Sequence, residues 1–104
     1  MSIVTVYAIF ADAEEAQHIG RTVVEERLAA CINILGSISS MYRWQGKVED
    51  ANEVAAILKT TDEQADTLIA RLAELHSYEV PCITTWPVDK IFGGYAKWVE
   101  DSVG

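Results

Sequence analysis

Residues 29–60 read AACINILGSISSMYRWQGKVEDANEVAAILKT, and the fold is decided there. Gln45-Gly46 stands at the centre of the stretch, and glycine tolerates the positive φ that a tight chain reversal demands. On both sides the residues read as strand, running out from Ala29 to Trp44 and back from Lys47 to Thr60, with Gly36 as a bulge or bend. In the returning arm Val54, Ala56 and Leu58 alternate with Ala55, Ile57 and Lys59. A strand apolar on both faces is covered on both faces, which places it inside a sheet.

Upstream, Ile3 to Phe10 is rich in β-branched and aromatic residues and predicts another strand. Asp12 with Glu15 forms a variant of the capping box and predicts a helix start, since carboxylates accept orphan amides and oppose the positive helix end. Ala16, Ile19, Gly20, Val23 and Arg27 with Leu28 share one side at helical spacing, so the helix is expected to end near Leu28. Downstream, Thr61 or Asp62 caps a second helix whose stripe is Ala65, Leu68, Ile69, Leu72 and Leu75. His76-Ser77-Tyr78 breaks it. Pro81 opens a last strand through about Val88, and Gly93-Gly94 precedes a short helical tail carrying Tyr95, Trp98 and Val99.

The order β-α-β-β-α-β has a compact solution, a ferredoxin-like α+β sandwich with an antiparallel sheet ordered 4-1-3-2 and both helices on one face. A sixteen-residue helix spans roughly 24 Å and a strand of similar count roughly 50 Å, so the hairpin must overhang its helices. Met41, Tyr42, Trp44 and Val48 fall on that overhang. An exposed apolar ribbon invites pairing with another chain, and a closed symmetric oligomer satisfies it.

The 104 residues, 50% of them hydrophobic, suit one domain over residues 1–104 with no linker. No run reaches the roughly 20 apolar residues of a spanning helix. The first ten residues alternate like a strand and carry no basic start, which gives a cytoplasmic expectation without a membrane partner. Sixteen acids against eight Lys and Arg give a formal charge of −8. The cations occur singly and near acids, which disfavours nucleic acid. Cys31 and Cys82 form no CxxC pair and read as reduced, packed thiols. There is no GxSxG, HExxH, phosphate-binding loop or dinucleotide fingerprint, and the expectation is a protein that is not an enzyme.

Five blocks, in order along the chain, resemble the CutA divalent-cation tolerance family. They are residues 26–33 (ERLAACIN), 42–49 (YRWQGKVE), 58–61 (LKTT), 75–81 (LHSYEVP) and 95–99 (YAKWV). Ser77, where the family usually has proline, and Cys82 depart from the pattern. The resemblance implies a ferredoxin-like subunit, a homotrimer built by strand pairing, a role in tolerance of divalent metal ions (response to metal ion), and copper binding in some members. No resident cofactor is required. The trimeric PII signalling proteins share this architecture. The alternative is therefore a PII-like signalling or structural trimer that binds a small molecule between subunits and acts through an unidentified protein.

For a metal, His76 at a helix end beside Glu79 is the best candidate, because imidazole with carboxylate or thiolate suits copper or zinc. A histidine there also serves to cap carbonyls, which is the favoured reading. Cys31 is the third candidate ligand. It belongs to an edge strand at the opposite end of the sheet from His76, so only a site between subunits would join them. Tyr42, Arg43, Trp44, Lys47, Glu49 and Tyr78, together with Glu79, are expected either to line a ligand cleft where the hairpin tip meets a neighbouring subunit or to pack that interface.

Overall fold

The computed structural model describes residues 2–104. Its elements are β1 (Ile3–Phe10), α1 (Ala13–Glu25), β2 (Cys31–Trp44), β3 (Lys47–Thr61), α2 (Asp62–Leu75), β4 (Ile83–Pro87) and α3 (Gly93–Ser102). The sheet is antiparallel throughout and ordered β2-β3-β1-β4, the ferredoxin-like arrangement expected from the sequence.

Alternation along β1 sends Val4, Val6, Ala8 and Phe10 into one core with Val54, Ala56 and Leu58 of β3, and that core is roofed by α1 and α2. The helices bury Ala16, Ile19, Gly20 and Val23 on one side and Ala65, Leu68 and Leu72 on the other. A smaller cluster, Ile3, Ala30 and Val99 with Tyr95 and Ala96 against it, lies on the opposite sheet face and seats α3. That face is covered at one end only.

Local chemistry sets the junctions. Asp12 Oδ1 accepts the Glu15 amide at 2.8 Å and starts α1. The helix stops at Glu25, three residues before the expected Leu28, because Arg27 turns left-handed at φ 63° and the amides of Arg27 and Leu28 bond back to Val24 and Val23. Arg27 is exposed rather than on the buried stripe, and its guanidinium donates to the carbonyls of Asp101 and Gly104 at the end of α3. Thr61 is the N-cap residue of α2 but makes no side-chain cap bond. The last strand begins at Ile83, two residues after Pro81.

The hairpin closes through Gln45-Gly46 at φ 50° and 80°, with Trp44 opposite Lys47. Leu35 is the extra residue of a bulge, and Gly36 beside it takes φ 121°. Pairing between β3 and β1 begins at Val54, so Lys47–Glu53 has only β2 beside it. At about 3.4 Å per residue that overhang is roughly 24 Å long. It stretches the molecule to 45 × 26 × 22 Å with a radius of gyration of 14.2 Å, against about 13 Å for a compact chain of this length.

Candidate ligand cleft at the foot of the hairpin

The turn between α2 and β4 is tied to the start of α1 by Glu15 and His76. Glu15 Oε1 accepts the Ala11 amide at 3.0 Å, and Oε2 accepts the Ser77 amide at 3.0 Å. Burial pushes the Glu15 carboxyl up, but hydrogen bonds from Ser77 and the Ala11 amide outweigh it and hold the group below its ordinary value of 4.5. The His76 side chain is fully buried, stacked on Phe10 at 5.4 Å and flanked by Tyr78 at 4.8 Å.

Both ring nitrogens of His76 are committed. Nδ1 lies 2.9 Å from the Tyr78 amide, which can only donate, and Nε2 lies 2.8 Å from the Ile9 carbonyl, which can only accept. The partners fix the tautomer with the proton on Nε2. His76 thus has a structural role, though not by capping its own helix: its ring bridges to the end of β1.

Tyr78 carries the arrangement to the hairpin. Its Oη donates to Glu53 Oε2 at 2.8 Å. Burial, and then the hydrogen bond to Glu53, push the phenol far above its ordinary value of 10.0, so it remains a donor at physiological pH. Glu53 sits on β3 one residue beyond the end of its pairing with β1, and only 7% of its surface is exposed.

These residues border an open cleft of about 930 Å³. The sheet contributes Tyr7, Ile9, Ile38 and Glu53, the hairpin contributes residues 39–44, and the approach to β4 contributes Tyr78, Glu79, Val80 and Cys82. Tyr7 is backed by Trp86, ring centroids 6.0 Å apart. An apolar, aromatic cleft with a few convergent polar groups has the composition of a small-molecule site.

Of the residues singled out in the sequence, Tyr42, Arg43, Trp44, Tyr78 and Glu79 line this cleft. Lys47 and Glu49 do not, although the hairpin ladder pairs them with Trp44 and Tyr42 on the same face. Cys31 begins edge strand β2, opposite Lys59, while His76 contacts Ile9 at the far end of β1. The two are separated along the sheet and across it. Cys31 Sγ lies 3.5 Å from Tyr95 Oη, and that phenol is pushed up to about 12, first by burial and then by the cysteine contact.

The donors therefore do not fit a copper centre within one chain. A metal needs a free lone pair, and both His76 nitrogens would have to surrender a backbone hydrogen bond first. Among the described residues no three His, Cys, Asp or Glu side chains are gathered where they could hold an ion. Both cysteines are free thiols, Cys31 half-buried and Cys82 exposed.

Glu53 is the site residue that the sequence reading missed. A signal was present: in the alternation of β3, Glu53 precedes Ala55 and Ile57 on the same face, so a carboxylate occupies a position whose neighbours in the pattern are apolar. Its hydrogen-bond partner, Tyr78, lies 25 residues away.

Fold and cleft together define a ferredoxin-like domain with an extruded hairpin and a part-aromatic cleft at its foot. A family pattern described as CutA1 divalent ion tolerance protein matches residues 4–102, and the chain belongs to that family. A divalent-cation tolerance protein CutA from Thermotoga maritima is 41% identical over 101 residues, covering 97% of this chain and 99% of the relative. The crystal structure of CutA from Xylella fastidiosa superposes with a TM-score of 0.96 at 32% identity over the whole of both chains. A structure from Archaeoglobus fulgidus, described as a periplasmic divalent cation tolerance protein, gives a TM-score of 0.94 at 33% identity, covering 98% of this chain and 99% of that one. Among the described residues no helix is long and apolar enough to cross a membrane.

Proposed function

We propose that this chain works as a cytoplasmic homotrimer in the tolerance of divalent metal ions and catalyses no reaction. The observation that carries the reading is full-length similarity to proteins named for divalent-cation tolerance. Assembly is supported by the hairpin, where Met41 is 78% exposed and Val48 64% exposed on a ribbon with open edges. In this reading no resident copper is needed, since His76, Glu79 and Cys31 of one chain do not converge. The cytoplasmic placement is supported by two free thiols; the relative described as periplasmic is the competing case, and fractionation of the tagged protein decides it.

The test is twofold. Light scattering on the purified protein is expected to give the mass of three chains, and a stable monomer would overturn the trimer. Deleting the gene is expected to lower the copper concentration that arrests growth, with rescue by the intact gene; unchanged metal sensitivity would overturn the tolerance role.

A second reading is favoured by the cleft itself: a PII-like sensor that binds a small molecule beside Tyr78 and Glu53 and acts through another protein. It predicts saturable binding of an organic ligand that is weakened by substitutions in the cleft.

A further inference from the structure

Glu53 has a feature that the fold leaves unexplained. It is more than nine-tenths buried, yet only Oε2 has a hydrogen-bond partner, the Tyr78 hydroxyl. Among the described residues no Lys, Arg or His lies within ion-pair distance of either oxygen. Every fully enclosed polar side-chain atom has a partner, so Oε1 keeps its access to the cleft that Glu53 borders. A carboxylate removed from water without a counter-charge is costly, and the usual remedies are a cation or several donors. One donor is present.

The surroundings select the kind of cation. Tyr7, Tyr42, Trp44 and Tyr78 line the same cleft, and aromatic faces attract ammonium and guanidinium groups through their quadrupoles while covering an apolar body. Glu79 adds a second acid at the cleft, and the chain as a whole carries a formal charge of −8. Arg43 is the opposing charge. It too lines the cleft, but neither Arg43 nor Lys47, which the ladder pairs with Trp44, lies within ion-pair distance of Glu53.

We propose that the cleft binds a small organic cation, a primary ammonium or guanidinium carrying an apolar body, with Glu53 Oε1 accepting from its charged head and the aromatic residues holding the rest. This rests on the second reading above, that the cleft takes a small molecule, and adds the ligand's charge class.

Calorimetric titration with three probes sharing one phenyl body tests it: phenethylammonium, 2-phenylethanol and 3-phenylpropionate at neutral pH. The expected result is one ammonium bound per chain, with the alcohol at least about tenfold weaker and the anion not bound. Glu53→Gln, which keeps an acceptor for Tyr78, is expected to weaken the ammonium about tenfold or more, while Glu63→Gln, exposed on α2 and away from the cleft, changes it less than about twofold. The wild-type probe series stands even if the Glu53 variant fails to fold. Equal binding of the alcohol, or an unchanged Glu53→Gln, would overturn the proposal. Binding of the propionate alone would overturn the charge class and leave the small-molecule reading intact, whereas no binding by any probe would sink both. If ammonium binds only after Arg43→Ala or Lys47→Ala, a side chain of the protein itself serves as the counter-cation and the small-molecule proposal falls.

Discussion

Glu15 joins two backbone segments with one carboxylate: the β1–α1 junction at Ala11 and the turn after α2 at Ser77. Because its folded-state value lies below 4.5, its stabilisation is fully present above the unfolded carboxylate range and is lost as pH falls through the folded value. Glu15→Gln is therefore expected to cost about 1 kcal/mol at neutral pH and to flatten the loss of stability on acidification, as urea unfolding at a series of pH values would read. An unchanged acid limb would remove Glu15 from this role. His76 belongs to the same turn but works by packing and by two hydrogen bonds. Its replacement by alanine is expected to cost about 3 kcal/mol, and a loss below about 1 kcal/mol would contradict the buried bridge.

At the scale of elements, helix α1 lies on β2 at the distance Gly20 allows. A Cβ built there would stand 2.7 Å from Ile32 Cδ1 and 2.9 Å from Ile32 Cγ2. Helix propensity favours Gly20→Ala by about 1 kcal/mol, but overpacking costs about 1–3 kcal/mol. The crowding is expected to win, lowering the thermal midpoint by several degrees, roughly 4–8 °C per kcal/mol. Ile32→Val in the same chain removes the nearer contact and is expected to recover part of the loss; a stabilised single variant would mean that the helix shifts freely. The hairpin turn was legible from Gln45-Gly46 alone, because only a short reversal with positive φ joins two such strands. The end of α1 was not legible, because Arg27 takes a left-handed conformation that arginine rarely favours, and the bonds that reward it come from Asp101 and Gly104 at the other end of the chain.

For the whole molecule, the accessible surface is 6395 Å², against about 5,800 Å² expected for a compact monomer of this mass. The hairpin is exposed throughout residues 41–50, and Trp44 at its tip is 40% exposed. Trp44→Asp places a charge where the proposed assembly would bury an aromatic ring, and is expected to shift the solution mass toward the monomer on dilution. Sedimentation across a concentration series checks this, and full trimer at the lowest concentration would exclude Trp44 from the interface.

The sequence by itself determined the element order, the hairpin turn, the bulge at Gly36, the central place of β3 and the topology. These follow from period-2 and period-3.6 patterns and from glycine's backbone freedom, which act over a few residues. It also singled out Tyr42, Arg43, Trp44, Tyr78 and Glu79, which line the cleft. Only the tertiary structure decided which of the named residues meet. It left Lys47 and Glu49 outside the cleft, whose hairpin wall is drawn from β2. It turned His76 toward the Ile9 carbonyl and brought Tyr78 onto Glu53, contacts that bridge 67 and 25 residues of chain. Such pairings depend on where the sheet ends relative to the hairpin. No local pattern encodes that distance, so the one buried carboxylate of the cleft became visible only when the chain was folded.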